Sequence, residues 1–214
     1  MEKLLSPWKE GRFCQAFRKA SWARSAASSR SVSYTHLFMN EVIQAMLTRR
    51  SVHGFRPDVP VDQKLVDQII QAGTYAANGR GHQSAIIIEI TNKALRDRLS
   101  ELNRQIGGWE EGFDPFYGAP VVLLVMAEKD WPTRVYDGSL VMGNLMLAAH
   151  ALGVGSCWIH RAKETFELDE GKQILSDLGV QGEYEGIGYC VLGAPAKEPG
   201  PAAPRKEHFV YYAR

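Results

Sequence analysis

Arg49-Arg50-Ser51-Val52-His53-Gly54-Phe55 is the stretch on which the reading of this chain turns. It closes the first credible helix and opens a loop. Two guanidiniums and a hydroxyl stand side by side there, a set of charge-assisted donors suited to a phosphate. Read alone, the same pair also suits a solvated helix C-terminus, where basic side chains complement the dipole. The choice between the two depends on the rest of the chain.

Upstream, Asn40 is placed to cap a helix from Glu41 to about Arg49, with Val42, Ile43, Met46 and Leu47 on one face. Downstream, Pro57 and Pro60 mark a loop. Asp62 then caps a second helix carrying Leu65, Val66, Ile69 and Ile70. The segment Asn78-Gly79-Arg80-Gly81-His82-Gln83-Ser84 puts two glycines among polar residues, either an exposed turn or a backbone that approaches a ligand closely. Ala85–Ile90 and Val121–Met126 are continuous apolar runs and predict buried strands. Between them, Asn92 caps a helix with Leu95, Leu99, Leu102 and Ile106, stopped by Gly107-Gly108.

Trp109, Phe113, Phe116 and Tyr117 crowd a loop of acids, Gly and Pro. They either line a pocket or pin the loop to the core. A helix from about Val135 to Leu152 is apolar nearly all round, which predicts burial in the core or at a subunit interface. Its His150 reads as a satisfied core or interface histidine. Ser156–Ile159 predicts a strand, Leu168–Leu178 a helix and Gly186–Leu192 a further strand. Phe209–Tyr212 has strand character and no partner nearby in sequence, so pairing with a distant edge, including another subunit's, is the expectation. Strands separated by helices predict an α/β or α+β layer fold. No dinucleotide fingerprint, Walker A, H-E-x-x-H or G-x-S-x-G occurs.

The totals set the outer bounds. A chain of 214 residues with 45% apolar and 23% charged residues suits one domain with a sizeable core. No run approaches a membrane span. Net charge is +1, which argues against a general polyanion partner such as nucleic acid. Of the 25 basic and 24 acidic residues, seven and two fall in residues 1–38, leaving 18 and 22, a net −4, for the body. That basic, Ser-rich head reads as an organelle-targeting segment, a nucleic-acid arm, or material outside the fold; the last is favoured because Met39 suits a start. Three scattered cysteines, Cys14, Cys157 and Cys190, predict reduced thiols in a cytoplasmic protein, with no disulfide framework and no metal site.

These pieces, in this order, resemble the nitroreductase family of flavin-dependent oxidoreductases over residues 39–214. The resemblance is carried by Arg49-Arg50-Ser51, by the Ala77–Ser84 loop, by Ala119-Pro120-Val121-Val122 and by Asp137-Gly138. Asn144–Gly153, Cys157-Trp158-Ile159 and Pro204-Arg205-Lys206 complete it. It implies an α+β, three-layer α/β/α sandwich assembled as an intertwined homodimer, with FMN in two interface clefts and NAD(P)H as electron donor. Hydride would pass through flavin N5 to an electron-poor acceptor, a nitroaromatic or quinone, in a ping-pong cycle without catalytic residues from the protein. The alternatives are reductive dehalogenation or flavin destruction on the same fold, and a non-enzymatic binding module.

The resemblance further implies that Arg49, Arg50 and Ser51 hold the FMN phosphate and ribityl chain, with His53 beside them. Arg205 and Lys206 would reach it from the C-terminal segment. Ala77, Asn78, Gly79, Gly81 and Gln83 would approach the flavin ring from the partner chain. Ile159, His160 and Arg161 would lie near N5 and O4, and Trp109, Phe113, Phe116 and Tyr117 would form the substrate pocket. The chain departs from the family pattern at His53, Ala77-Asn78, Gly81 and Ala203, so phosphate neutralisation leans on three guanidiniums and the Lys206 ammonium.

Overall fold

A computed structural model describes residues 40–214. The expectations for residues 1–38, and for Cys14 among them, lie outside the described residues. The described chain runs α1 (Glu41–Thr48), α2 (Gln63–Thr74), a 3-10 turn (Gly79–Gly81), β1 (Ala85–Ile90), α3 (Lys93–Gly107) and β2 (Val121–Glu128). It continues with α4 (Arg134–Ala151), β3 (Gly155–Ile159), α5 (Ala162–Glu167), α6 (Asp169–Asp177) and β4 (Tyr184–Gly193).

The helix starts follow local chemistry. Asn40, Asp62 and Asn92 each accept backbone N–H bonds with their side chains at the first turn of α1, α2 and α3. These bonds satisfy donors the helix leaves unpaired. Gly108 ends α3 at φ 69°, a left-handed position where a Cβ is disfavoured.

The four strands form one antiparallel sheet in the order β1-β2-β4-β3. β2 is at its centre and buried from Val121 to Ala127. Its alternate residues feed two cores. Val122, Leu124 and Met126 pack with Leu99, Phe116, Ile159, Phe166 and Tyr189. Val121, Leu123 and Val125 pack with Val66, Ile69, Met142 and Leu145. Helices therefore cover both faces, α2 and α4 on one and α3, α5 and α6 on the other, which is the expected three-layer α+β sandwich. A fully buried Leu or Met of this kind contributes about 1.5–3 kcal/mol.

A register shift interrupts the β2–β4 ladder. Val125 faces Gly188 and Met126 faces Gly186, so Ile187 is an extra residue. The bulge turns Ile187 to the α4 face, against Gly138. On the other face, Gly186 lies under the start of α5, where an added Cβ would clash with Ala162 O.

The helix expected over Leu168–Leu178 is α6, and one addition is needed: a further helix, α5, precedes it after β3. At six residues α5 is too short to show a period; its buried Ala162, Thr165 and Phe166 are secured by packing on β4. Phe209–Tyr212 forms no strand within the chain and is exposed. Val42, Ile43, Met46 and Leu47 on α1 and Tyr136 and Leu140 on α4 are exposed as well. Among the described residues no helix is long and apolar enough to cross a membrane.

Candidate functional site

The Arg49–Ser51 segment leaves α1 and joins the outer edge of the sheet. Arg49 turns to extended backbone, Ser51 bridges to Ser156 in parallel, and Val52 N–H donates to Ser156 O at 3.0 Å. Thr48 secures the same end: its hydroxyl donates to Gln44 O and faces His150 Nε2, both at 2.8 Å. A hydroxyl has one proton, so the imidazole is the donor to Thr48. His150 is thus a structural histidine, as expected.

The helix-end reading of the Arg-Arg pair is visible in Arg50. Arg50 Nη1 donates to Leu47 O at 2.9 Å and Arg49 O at 2.7 Å, tying off the end of α1. Yet Arg50 Nε and Arg49 Nη1 are buried and have no partner among the described residues. Unpaired buried guanidinium nitrogens are costly, and their charge and donor geometry suit an anion. Beneath them, burial pushes the Cys157 thiol up, against a hydrogen bond with Ser51 and the charge of Arg49. Cys157 is therefore a packed thiol rather than a nucleophile.

From this cradle a row of rings leads along the 109–118 segment. The exposed His53 meets Tyr117 edge-on at 5.3 Å, Tyr117 meets Phe113 at 6.1 Å, and Phe113 meets Trp109 at 5.2 Å. The row ends where the Arg161 guanidinium lies 4.6 Å over Trp109. Phe116 is not part of it. Its ring is fully buried, 5.0 Å from Tyr189 and beneath the Arg96 guanidinium. Of the four aromatics, Phe116 pins the loop and the other three face outward or sit half-buried.

Asp114 holds that loop. It accepts from Arg96 Nη2 and Ser100 Oγ at 2.5 Å, Phe116 N–H at 2.9 Å and Gly118 N–H at 2.7 Å. Burial raises its pKa, but these donors outweigh it and hold the carboxyl below its ordinary value.

The 77–83 loop is fixed by a second carboxylate. Asp137, 2% exposed, accepts from Gly79 N–H at 2.9 Å, Ser84 Oγ at 2.7 Å and Thr133 Oγ1 at 3.1 Å. Desolvation again opposes these bonds and loses, so its pKa is lowered. Asn78 Oδ1 accepts Gln83 N–H at 2.9 Å and closes the loop on itself. Arg80, Gly81 and Gln83 all have positive φ. Ala77, Gly81 and Gln83 are exposed and Asn78 and Gly79 half-buried, so the loop offers its backbone outward.

β3 ends at Ile159, and the chain enters α5 through His160 and Arg161. Arg161 stands at φ 74°, its carbonyl accepting from Thr165 N–H at 3.0 Å and Thr165 Oγ1 at 2.8 Å. The carbonyl of His160 accepts from Asn103 Nδ2 at 2.7 Å. Asn103 and Asp137 were not among the candidate site residues. The signal for Asn103 was an amide placed four residues after Leu99 on an apolar face; Asp137 was visible only as part of a motif. Arg205 and Lys206 lie on the exposed tail, Arg205 donating to Ala203 O at 2.6 Å and Lys206 over the Phe209 ring at 5.5 Å. The described chain does not bring them to Arg49 and Arg50.

Comparisons with known proteins agree with this architecture. A nitroreductase from Bacteroides fragilis, solved with bound FMN, superposes with a TM-score of 0.74 at 24% identity, over 82% of this chain and all of that one. An FMN-bound nitroreductase from Desulfitobacterium hafniense gives 0.72 at 22% identity, over 82% and 100%. In sequence, a protein of Methanothermobacter thermautotrophicus provisionally assigned as NADH dehydrogenase/NAD(P)H nitroreductase is 27% identical over 171 residues, 75% of this chain and 80% of that protein. An NAD(P)H-dependent FMN reductase of Bacillus subtilis is 28% identical over 140 residues, 55% of this chain; the match spans about half that protein's length, 53%. The profile of the Nitroreductase family matches residues 46–194, from the last turn of α1 to the end of β4, and the chain belongs to that family.

Proposed function

We propose that this protein is an FMN-dependent oxidoreductase that passes hydride from NAD(P)H to an electron-poor acceptor such as a nitroaromatic or a quinone. The observation that carries the reading is the pair of unpartnered, buried guanidinium nitrogens on Arg49 and Arg50 beside Ser51. A phosphate monoester fits that donor set in charge and geometry. FMN, when bound, supplies the hydride chemistry at N5, accepting from the reduced nicotinamide and giving to the acceptor.

The chain's own residues bind, orient and shield. Arg49, Arg50 and Ser51 hold the phosphate end, and His53 flanks it. The 77–83 loop, braced by Asp137, presents backbone groups to the ring edge. Ile159, His160 and Arg161 would lie against the flavin ring, where a backbone N–H would favour negative charge on it. Trp109, Phe113 and Tyr117 cover the open face, exclude water and shape acceptor choice. Arg205 and Lys206, which the described chain does not bring to Arg49 and Arg50, would add charge to the phosphate end across the dimer interface.

The assembly is a homodimer in which each cleft draws on both chains. The exposed apolar side chains of α1 and α4, and those of the 209–212 tail, support it, since exposed apolar surface of this extent marks an interface. A second copy covering them brings the tail to the neighbouring sheet.

The test is an absorbance spectrum of the purified protein with mass identification of the released chromophore and sizing by light scattering. Oxidised flavin bands, an FMN mass, anaerobic bleaching by NAD(P)H and a dimer mass are expected. Flavin that survives many turnovers excludes its consumption as a substrate. A colourless protein that takes up no added FMN overturns the reading.

A further inference from the structure

Asn103 is fully buried on α3, in line with Leu99 and Leu102. Its Nδ2 donates to His160 O at 2.7 Å, while its Oδ1 is buried without a partner among the described residues. An orphaned buried acceptor is destabilising, so packing alone does not favour an amide at this position; an apolar side chain of the same outline would serve. The geometry at the other end of the bond gives the amide a purpose.

The peptide joining His160 to Arg161 is trans, and in a planar trans peptide the N–H points opposite to the C=O. Asn103 draws the His160 carbonyl toward α3, so the Arg161 N–H is turned away from α3. Arg161 itself is held in the left-handed region, unusual for a residue with a side chain, by two bonds from Thr165 and by the face of Trp109. Strain maintained from several sides is characteristic of a preorganised donor.

We propose that Asn103 is a positioning residue for the flavin. Through His160 O it orients the His160–Arg161 peptide so that the Arg161 N–H meets the N5–O4 edge and favours the reduced, anionic ring over the oxidised one. The inference rests on the FMN reading above and adds to it a residue that touches neither cofactor nor substrate.

The experiment measures the two-electron midpoint potential of bound FMN in the full-length wild type and in Asn103→Leu, alongside thermal unfolding of both FMN-free proteins. Leu keeps the volume, removes the donor and removes the orphaned acceptor. The FMN-free variant is expected to melt within a few degrees of wild type. Its preference for reduced over oxidised FMN is expected to fall about tenfold, a drop in potential of about 30 mV. Asn103→Ala, which introduces no clash, carries the same expectation if the Leu variant does not fold. An unchanged potential in a folded, FMN-loaded variant overturns the proposal, most clearly when the melting temperature falls, because Asn103 is then structural only. A wild type that takes up no FMN overturns the cofactor reading and this proposal together.

Discussion

Two kinds of buried or half-buried charge occur in this molecule. The carboxylates of Asp114 and Asp137 each accept at least three hydrogen bonds from their own chain. The guanidiniums of Arg49 and Arg50 keep buried nitrogens that the described chain leaves unpaired. The physical cost of burial is the same for both, so the difference lies in what completes them. A satisfied carboxylate is scaffold: it fixes the 109–118 and 77–83 loops whether or not a ligand is present. An unsatisfied guanidinium stores affinity for an anion from outside the chain. Asp137 shows that a buried charge is not a site in itself.

The sharpest way to break this contrast is to remove each kind and measure both stability and binding. Arg49→Ala with Arg50→Ala removes two charge-assisted donors worth about 1.5–3 kcal/mol each. FMN affinity, followed by flavin fluorescence quenching, is expected to fall by about two to four orders of magnitude. The FMN-free protein is expected to lose little stability, because losing the Arg50 Nη1 bonds to Leu47 O and Arg49 O is offset by removing two unpaired buried nitrogens. A large loss of stability without loss of affinity would make the pair scaffold and end the distinction.

Asp137→Ala is expected to do the reverse. It leaves Gly79 N–H, Ser84 Oγ and Thr133 Oγ1 without their acceptor, at a cost of about 3 kcal/mol to folding. Urea unfolding of the FMN-free variant reads this directly through a shift in midpoint at unchanged slope. A neutral result would show that the loop is held by its own Asn78 clasp instead.

The smallest effect is a pH dependence. Asp114 and Asp137 both have folded pKa values below the ordinary Asp value of 3.8. Their contribution to stability is fully present above that value and is lost as pH falls through the lower, folded one. Unfolding free energy is therefore expected to decline below about pH 4, and the decline to shrink in Asp114→Asn with Asp137→Asn.

Much of this was legible in the residues because it depends on neighbours in the chain. Asn40, Asp62 and Asn92 cap their helices as their side-chain chemistry dictates, and Gly108 ends α3 as a residue tolerant of positive φ must. Continuous apolar runs marked both β1 and β2 as strands; β2 is buried on both faces as expected, whereas β1, at the sheet edge, is mostly half-buried with Glu89 exposed. The Arg49–Ser51 donors were visible as a set, since three donor residues in succession need no tertiary partner to be recognised.

Tertiary structure alone decided the rest. The order β1-β2-β4-β3 and the bulge at Ile187 depend on pairings between distant segments. Phe113 and Phe116 are the same residue three positions apart, yet one is 40% exposed and the other has no exposure. In a loop without period, only the Asp114 anchor and the Tyr189 ring determine which turns inward. α5 forms because Gly186 admits it, and Asn103 acquires its role from a carbonyl 57 residues away. Short-range chemistry specifies caps, turns and strand burial because its energies act within a few residues. Which buried polar atoms stay unpaired is a property of the assembled interior, and it separates the scaffold of this protein from its proposed site.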